Sequence, residues 1–165
     1  MLGRYRVILD RENQEPYLER YYLFLKDRHR FPFNIFIHKF LKGDPWDPHD
    51  HPWPYFTLIL RGGYWEWIPT LDTMGRVFRE DAVWRGPGHF RICRAGSYHR
   101  IELEPGVTPW TLFIPGPHQR QWGFLKNGTT WVPADQYQPP KEKANHATVS
   151  KTKDLQMGQR ATQSR

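Results

Sequence analysis

The chain has almost no cysteine. Cys93 is the single one among 165 residues, which excludes an internal disulfide and suits a reducing compartment. Long apolar runs are also missing, and none approaches the roughly 18 residues that a spanning helix needs. The opening Met-Leu-Gly-Arg-Tyr-Arg lacks the apolar stretch of a secretory leader, so a cytoplasmic protein without membrane contact is expected. No G-x-G-x-x-G, P-loop, G-x-S-x-G or H-E-x-x-H occurs, so dinucleotide, nucleoside triphosphate, serine-hydrolase and zincin chemistry have no support. Residues 141–165 contain no Phe, Trp or Tyr. Such a segment buries too little apolar area to offset its ordering entropy. Residues 135–165 are therefore expected to form a basic, disordered tail.

Acidic charge is in short supply as well. The formal net charge is +7, but residues 141–165 carry six Lys and Arg against two acids, leaving only +3 for the rest. The basic character belongs mainly to the tail. Its charges are dispersed and no aromatics interleave, so nucleic acid is not the expected partner.

Aromatic residues, by contrast, are plentiful at 16%, and fifteen prolines and thirteen glycines signal many turns. Together they favour an all-β fold. Residues 5–9 read as a strand. Residues 16–28 read as a helix, with Pro16 in its first turn and Leu18, Tyr21, Tyr22 and Leu25 at helical spacing. From Phe33 the period becomes two. Residues 55–61 and 64–68 read as a hairpin turned by Gly62-Gly63. Further strands are expected at 76–79, 89–93, 99–103, 110–114, 121–125 and 130–132. That spacing is typical of a jelly roll or small barrel.

Chemistry concentrates in Gly43-Asp-Pro-Trp-Asp-Pro-His49-Asp-His51 and in Gly96-Ser-Tyr-His99. Histidines one residue apart on an extended segment point the same way, and a third from a distant strand closes a face around one metal ion. Imidazoles suit Zn, Cu, Ni or Fe. Asp50, of opposite parity, points away and serves as an outer acceptor. His38 sits on the preceding strand and is a candidate to reach the cavity, with core or surface placement as the plainer reading. Glu66 is the nearest downstream carboxylate, a candidate fourth ligand or base. Arg61, Arg94 and Arg100 are candidates for anion binding at a mouth, with a solvated strand edge as the plainer reading. Trp122 and Phe124 share one face and either wall a cavity or seal its base. Cys93 is read as core.

These segments resemble the two motifs of the cupin superfamily, G-x5-H-x-H-x3-4-E-x6-G and G-x5-P-x-G-x2-H-x3-N. Gly43, His49, His51 and Gly62 hold the first set of offsets, and Gly88, Gly96 and His99 the second. Tyr55 replaces the glutamate, Arg94 the proline and Leu103 the asparagine. The resemblance spans about residues 33–125. It implies a double-stranded β-helix, the jelly-roll barrel, over residues 33–134, with residues 1–32 packing on it as a strand and a helix. It also implies metal ligation by His49, His51 and His99, as in the three-histidine sites of thiol dioxygenases, with Tyr55 as a catalytic hydrogen-bond donor. Iron is the expected metal, with Zn, Ni or Mn as alternatives. The expected activity is oxygenation of a small polar substrate. A non-catalytic binding or assembly module and a cupin isomerase or epimerase stay open, as does a homodimer.

Overall fold

The computed structural model describes residues 4–26 and 31–139. Every regular element among them is a strand: β1 (Tyr5–Leu9), β2 (Pro16–Tyr22), β3 (Phe36–Phe40), β4 (Tyr55–Arg61), β5 (Tyr64–Leu71), β6 (Val77–Arg85), β7 (Phe90–Cys93), β8 (Arg100–Glu102), β9 (Trp110–Pro115), β10 (Gly123–Lys126) and β11 (Thr130–Pro133). All ladders are antiparallel. One sheet runs β1-β2-β3-β9-β4-β7, a second runs β6-β5-β8, and β10-β11 form a hairpin. Leu18, Phe40 and Ile59 of the first sheet pack on Tyr64 and Ile101 of the second. The two sheets thus face each other over one core. No helix among the described residues is long and apolar enough to cross a membrane.

The helix expected at residues 16–28 is not present. Residues 16–22 form β2, and residues 27–30 lie outside the described residues. Positions four apart share a face in a helix and in a strand alike, so Leu18 and Tyr22 cannot tell the two apart. Pairing on both sides decides it. Leu18, Arg20 and Tyr22 lie opposite Phe40, His38 and Phe36 of β3, while Tyr5 of β1 lies opposite Tyr21. Glu19 on the other face pairs with Lys39 at 3.3 Å, and Tyr21 stacks on Trp110. Residues 5–22 therefore extend the larger sheet rather than lie across its outside.

Gly62-Gly63 does not turn a hairpin either. β4 pairs with β7 and β9, whereas β5 pairs with β6 and β8. The glycines carry the chain from one sheet to the other. Gly62 has φ of 75°, a region that side chains disfavour. A Cβ on Gly63 would lie 2.4 Å from the Trp84 ring, so only glycine lets that indole close over the crossing.

The strand expected at 76–79 is longer, at Val77–Arg85. Tyr137, which the sequence places in the tail, is buried. Its ring stacks on Phe124 at 3.8 Å, and its hydroxyl donates to Asp47 at 2.8 Å. The expectation of disorder for residues 141–165 falls outside the described residues. Tyr137→Ala should cost about 3–5 kcal/mol, as for other buried rings cut to alanine. Tyr137→Phe, which removes only the hydrogen bond, should cost about 1–2 kcal/mol. Urea unfolding of the two variants measures both, and equal losses would show that the stacked ring contributes nothing.

Candidate metal centre

Residues 43–51 have no strand of their own, yet they are held like one. His49 exchanges two backbone hydrogen bonds with His99, at 2.9 and 3.0 Å, and also bridges to Phe124 of β10. The segment thereby joins β8 to β10 and completes the second sheet. Three buried aspartates fix it. Asp44 accepts from the Tyr17 hydroxyl at 2.5 Å and the Ile101 N–H at 2.6 Å. Asp47 accepts from the Asn127 N–H at 2.9 Å and from Tyr137. Asp50 accepts from the Gly123 N–H at 2.7 Å and lies 3.3 Å from the Arg120 guanidinium. Asp50 has the outward parity that the sequence assigns it.

Alternation then turns His49 and His51 to one side, where His99 meets them. The ring centroids stand 4.8–5.1 Å apart, and one ligand atom from each lies within 4.8 Å of the others. Nε2 of His51 and Nε2 of His99 face each other at 2.9 Å. Glu66 meets Nδ1 of His99 at 2.9 Å. Burial pushes the Glu66 carboxyl up, but the hydrogen bond from His99 and the charges of Arg91 and Arg85 outweigh it and hold it at about 2. An ionised Glu66 accepts a hydrogen bond from Nδ1–H of His99, which turns the unprotonated Nε2 toward the other two rings. Glu66 is thus an acceptor outside the trio that aims the His99 ring, the position of an outer partner of a ligand histidine. Arg85 at 2.8 Å and Arg91 secure it in turn.

Burial pulls the His49 pKa down to about 4 against the opposing pull of Asp44. Burial and the neighbouring His49 and His99 hold His51 well below its usual range. Neutral rings are what metal ligation needs. Convergent ring nitrogens, with the His99 ring oriented from outside by Glu66, fit a divalent ion. Tyr55 stands beside them, its hydroxyl 3.4 Å from Nε2 of His99 and its ring 4.6 Å from that of His51. Burial raises its pKa well above the ordinary value, so it stays a neutral phenol.

The trio opens on a cavity of about 480 Å3 between the sheets. Leu18, Phe40, Tyr64, Ile101, Phe113 and Trp122 line much of it. His38 reaches it from β3 and is buried there. Trp122 walls the cavity near His49, while Phe124 backs His49 from the Tyr137 side. Cys93 is buried. None of Arg61, Arg94 and Arg100 lines the cavity. Arg61 and Arg94 are exposed, and Arg100 is buried between Trp46 and Trp67 with Glu80 and Glu102 as ion partners. The cavity's arginines are Arg11 and Arg20. Sequence reasoning missed these two, and it missed Asp44 and Asp47. The Asp-Pro steps at 44 and 47 were a usable signal, because Asp before Pro favours a pinned turn.

No family model and no curated protein matches the sequence. Solved structures do match. The polyketide cyclase RemF from Streptomyces resistomycificus is 18% identical with a TM-score of 0.53, over 74% of this chain and 82% of that one. The Fe(II) form of HppE in complex with substrate is 10% identical with a TM-score of 0.51, over 70% of this chain and 58% of that one. A protein of unknown function with a cupin-like fold from Ralstonia eutropha is 15% identical with a TM-score of 0.48, over 72% of this chain and 65% of that one. At such identities the likeness concerns the fold alone.

Glu66→Gln keeps all three imidazoles but removes the charge that orients His99. It should weaken metal binding about 10–100-fold, the usual cost of losing an outer partner of a ligand histidine. Titration of metal-free protein with Zn or Fe(II) measures this, and unchanged affinity would remove Glu66 from the site.

Proposed function

We propose that the chain is a metal-dependent enzyme that holds a divalent ion on His49, His51 and His99 and acts on a largely aromatic small molecule in the adjoining cavity. The observation that carries this reading is the convergence of three imidazoles, those of His49 and His99 buried and that of His51 half-buried, at the wall of a cavity of about 480 Å3. Three protein ligands leave coordination positions open, as catalytic sites require. Bound there, a divalent ion supplies Lewis acidity and, as iron, one-electron chemistry with O2. The favoured reaction is oxygenation with iron, in keeping with the Fe(II) of HppE.

The protein's own part is positional. Glu66 and the aspartate-clamped segment hold the rings. The Tyr55 hydroxyl offers a neutral hydrogen-bond donor beside His99. Phe113 and Trp122 keep water from the site. The aromatic wall suits a larger and flatter substrate than the small polar one expected from the sequence. That same wall favours a second reading, ring closure without net oxidation, in keeping with the cyclase named for RemF.

Metal stoichiometry by elemental analysis of untagged protein tests the site. Wild type and Tyr55→Phe should each carry about one equivalent, because a neutral phenol makes no coordinating bond. His51→Ala should lose most of it. Negligible metal in all three would favour a non-catalytic module, and loss from Tyr55→Phe alone would make the phenolate a ligand. Substrate-dependent O2 uptake by the iron-loaded protein separates oxygenation from ring closure.

A further inference from the structure

The cavity holds a cation with no counter-charge. Arg20 projects from the inward face of β2 and lines the cavity. Its Nε–H donates to Nε2 of His38 at 2.9 Å, and the guanidinium carbon lies 4.6 Å from the centre of the Phe36 ring. The Tyr22 side chain is a further hydrogen-bond partner, so the head group is fixed by three neutral neighbours, none of which balances its charge. The strand opposite brings Arg6, another cation, into register with it. Among the described residues no carboxylate lies within 4.0 Å of it.

The acids nearby are already engaged. Asp10 and Glu66 are the carboxylates that line the cavity. Asp10 pairs with Lys42 at 2.5 Å, and Glu66 is held by Arg85, Arg91 and His99. Asp44 is taken up by Tyr17 and the Ile101 amide. Glu19 faces outward to Lys39. Burial, and to a lesser degree the charge of Arg6, pull the Arg20 pKa down.

A fixed, partly desolvated guanidinium without an anion is costly unless a ligand supplies the anion. Its planar fork matches a carboxylate in two parallel hydrogen bonds. Between Arg20 and the trio lie His38 and Phe113, stacked at 5.0 Å, with Phe113 in turn 6.4 Å from His51. We infer that Arg20 is the anion anchor of the cavity and that the substrate is an aromatic carboxylic acid, its carboxylate on Arg20 and its ring along Phe113 toward the histidine trio. This rests on the reading of the cavity as a substrate site beside a metal.

The probes are 2-naphthoate and its neutral counterpart 2-naphthylmethanol. Binding of each is measured by calorimetry on chelator-treated protein, so that no metal takes the carboxylate, and metal content is measured separately. Wild type should bind the acid about tenfold or more tightly than the alcohol, the usual worth of a charge-assisted hydrogen bond. Arg20→Gln should bring the ratio close to one. Arg20→Lys, which keeps the charge and loses the fork, should give an intermediate ratio and guards against misfolding of the first variant.

An unchanged ratio in Arg20→Gln would overturn the inference. So would a ratio near one in wild type, failure of both probes to bind, or loss of the preference in Arg11→Gln instead. Metal binding without acid preference removes the anchor and leaves the proposed function standing. Acid preference without metal binding does the reverse.

Discussion

The site depends on the clamping of residues 43–51 by Asp44, Asp47 and Asp50. Each carboxylate is buried, and each accepts a backbone N–H from a different stretch of chain, at Ile101, Asn127 and Gly123. Hydrogen bonds to a buried carboxylate are among the stronger ones available, and leaving such a group unpaired is costly. The segment has little register freedom as a result. His49 and His51 inherit that rigidity, since their backbone lies inside the clamp.

Electrostatics then separates two environments only a few residues apart. Toward the outside, Asp44, Asp47, Asp50 and Glu66 each meet an amide or a guanidinium group. Toward the inside, imidazoles and a phenol are buried and stay neutral. Glu66 stands at the boundary, charged by its arginines and connected to the neutral side through His99. A positive ion entering between the histidines would meet bare lone pairs and, one bond further out, a fixed negative charge. On the inner side the guanidinium of Arg20, like that of Arg11, has no carboxylate within 4.0 Å among the described residues.

Much of this was legible in the sequence, for identifiable reasons. The trio could be read because spacing within 49–51 fixes relative direction and the glycines fix the turns. Most strands could be read because short apolar stretches are punctuated by Gly and Pro. What failed were features set by distant partners. β2 has a pattern that satisfies helix and strand alike, and only its neighbours β1 and β3 settle it. Gly62-Gly63 looks like a hairpin because adjacency in sequence hides which sheet each strand joins. Glu66 and Arg20 carry no local signature. Their roles arise from what faces them, His99 from 33 residues away and His38 from 18.

The crossing at Gly62-Gly63 bears on how the protein matures. Because β4 and β5 part company there, β4 must wait for β7 and β9, and β5, which pairs at once with β6, must wait for β8 on its other edge. Folding dominated by such distant pairings is slow, since loop closure comes before any contact rewards it. His49 and His51 are translated well ahead of His99, and their mutual geometry is finished only when β8 and β10 have docked on either side. A partly folded chain offers an ion two loosely held imidazoles, and the complete chain offers three rigid ones. An ion held as proposed by the three histidines would therefore stabilise only chains whose two sheets have closed.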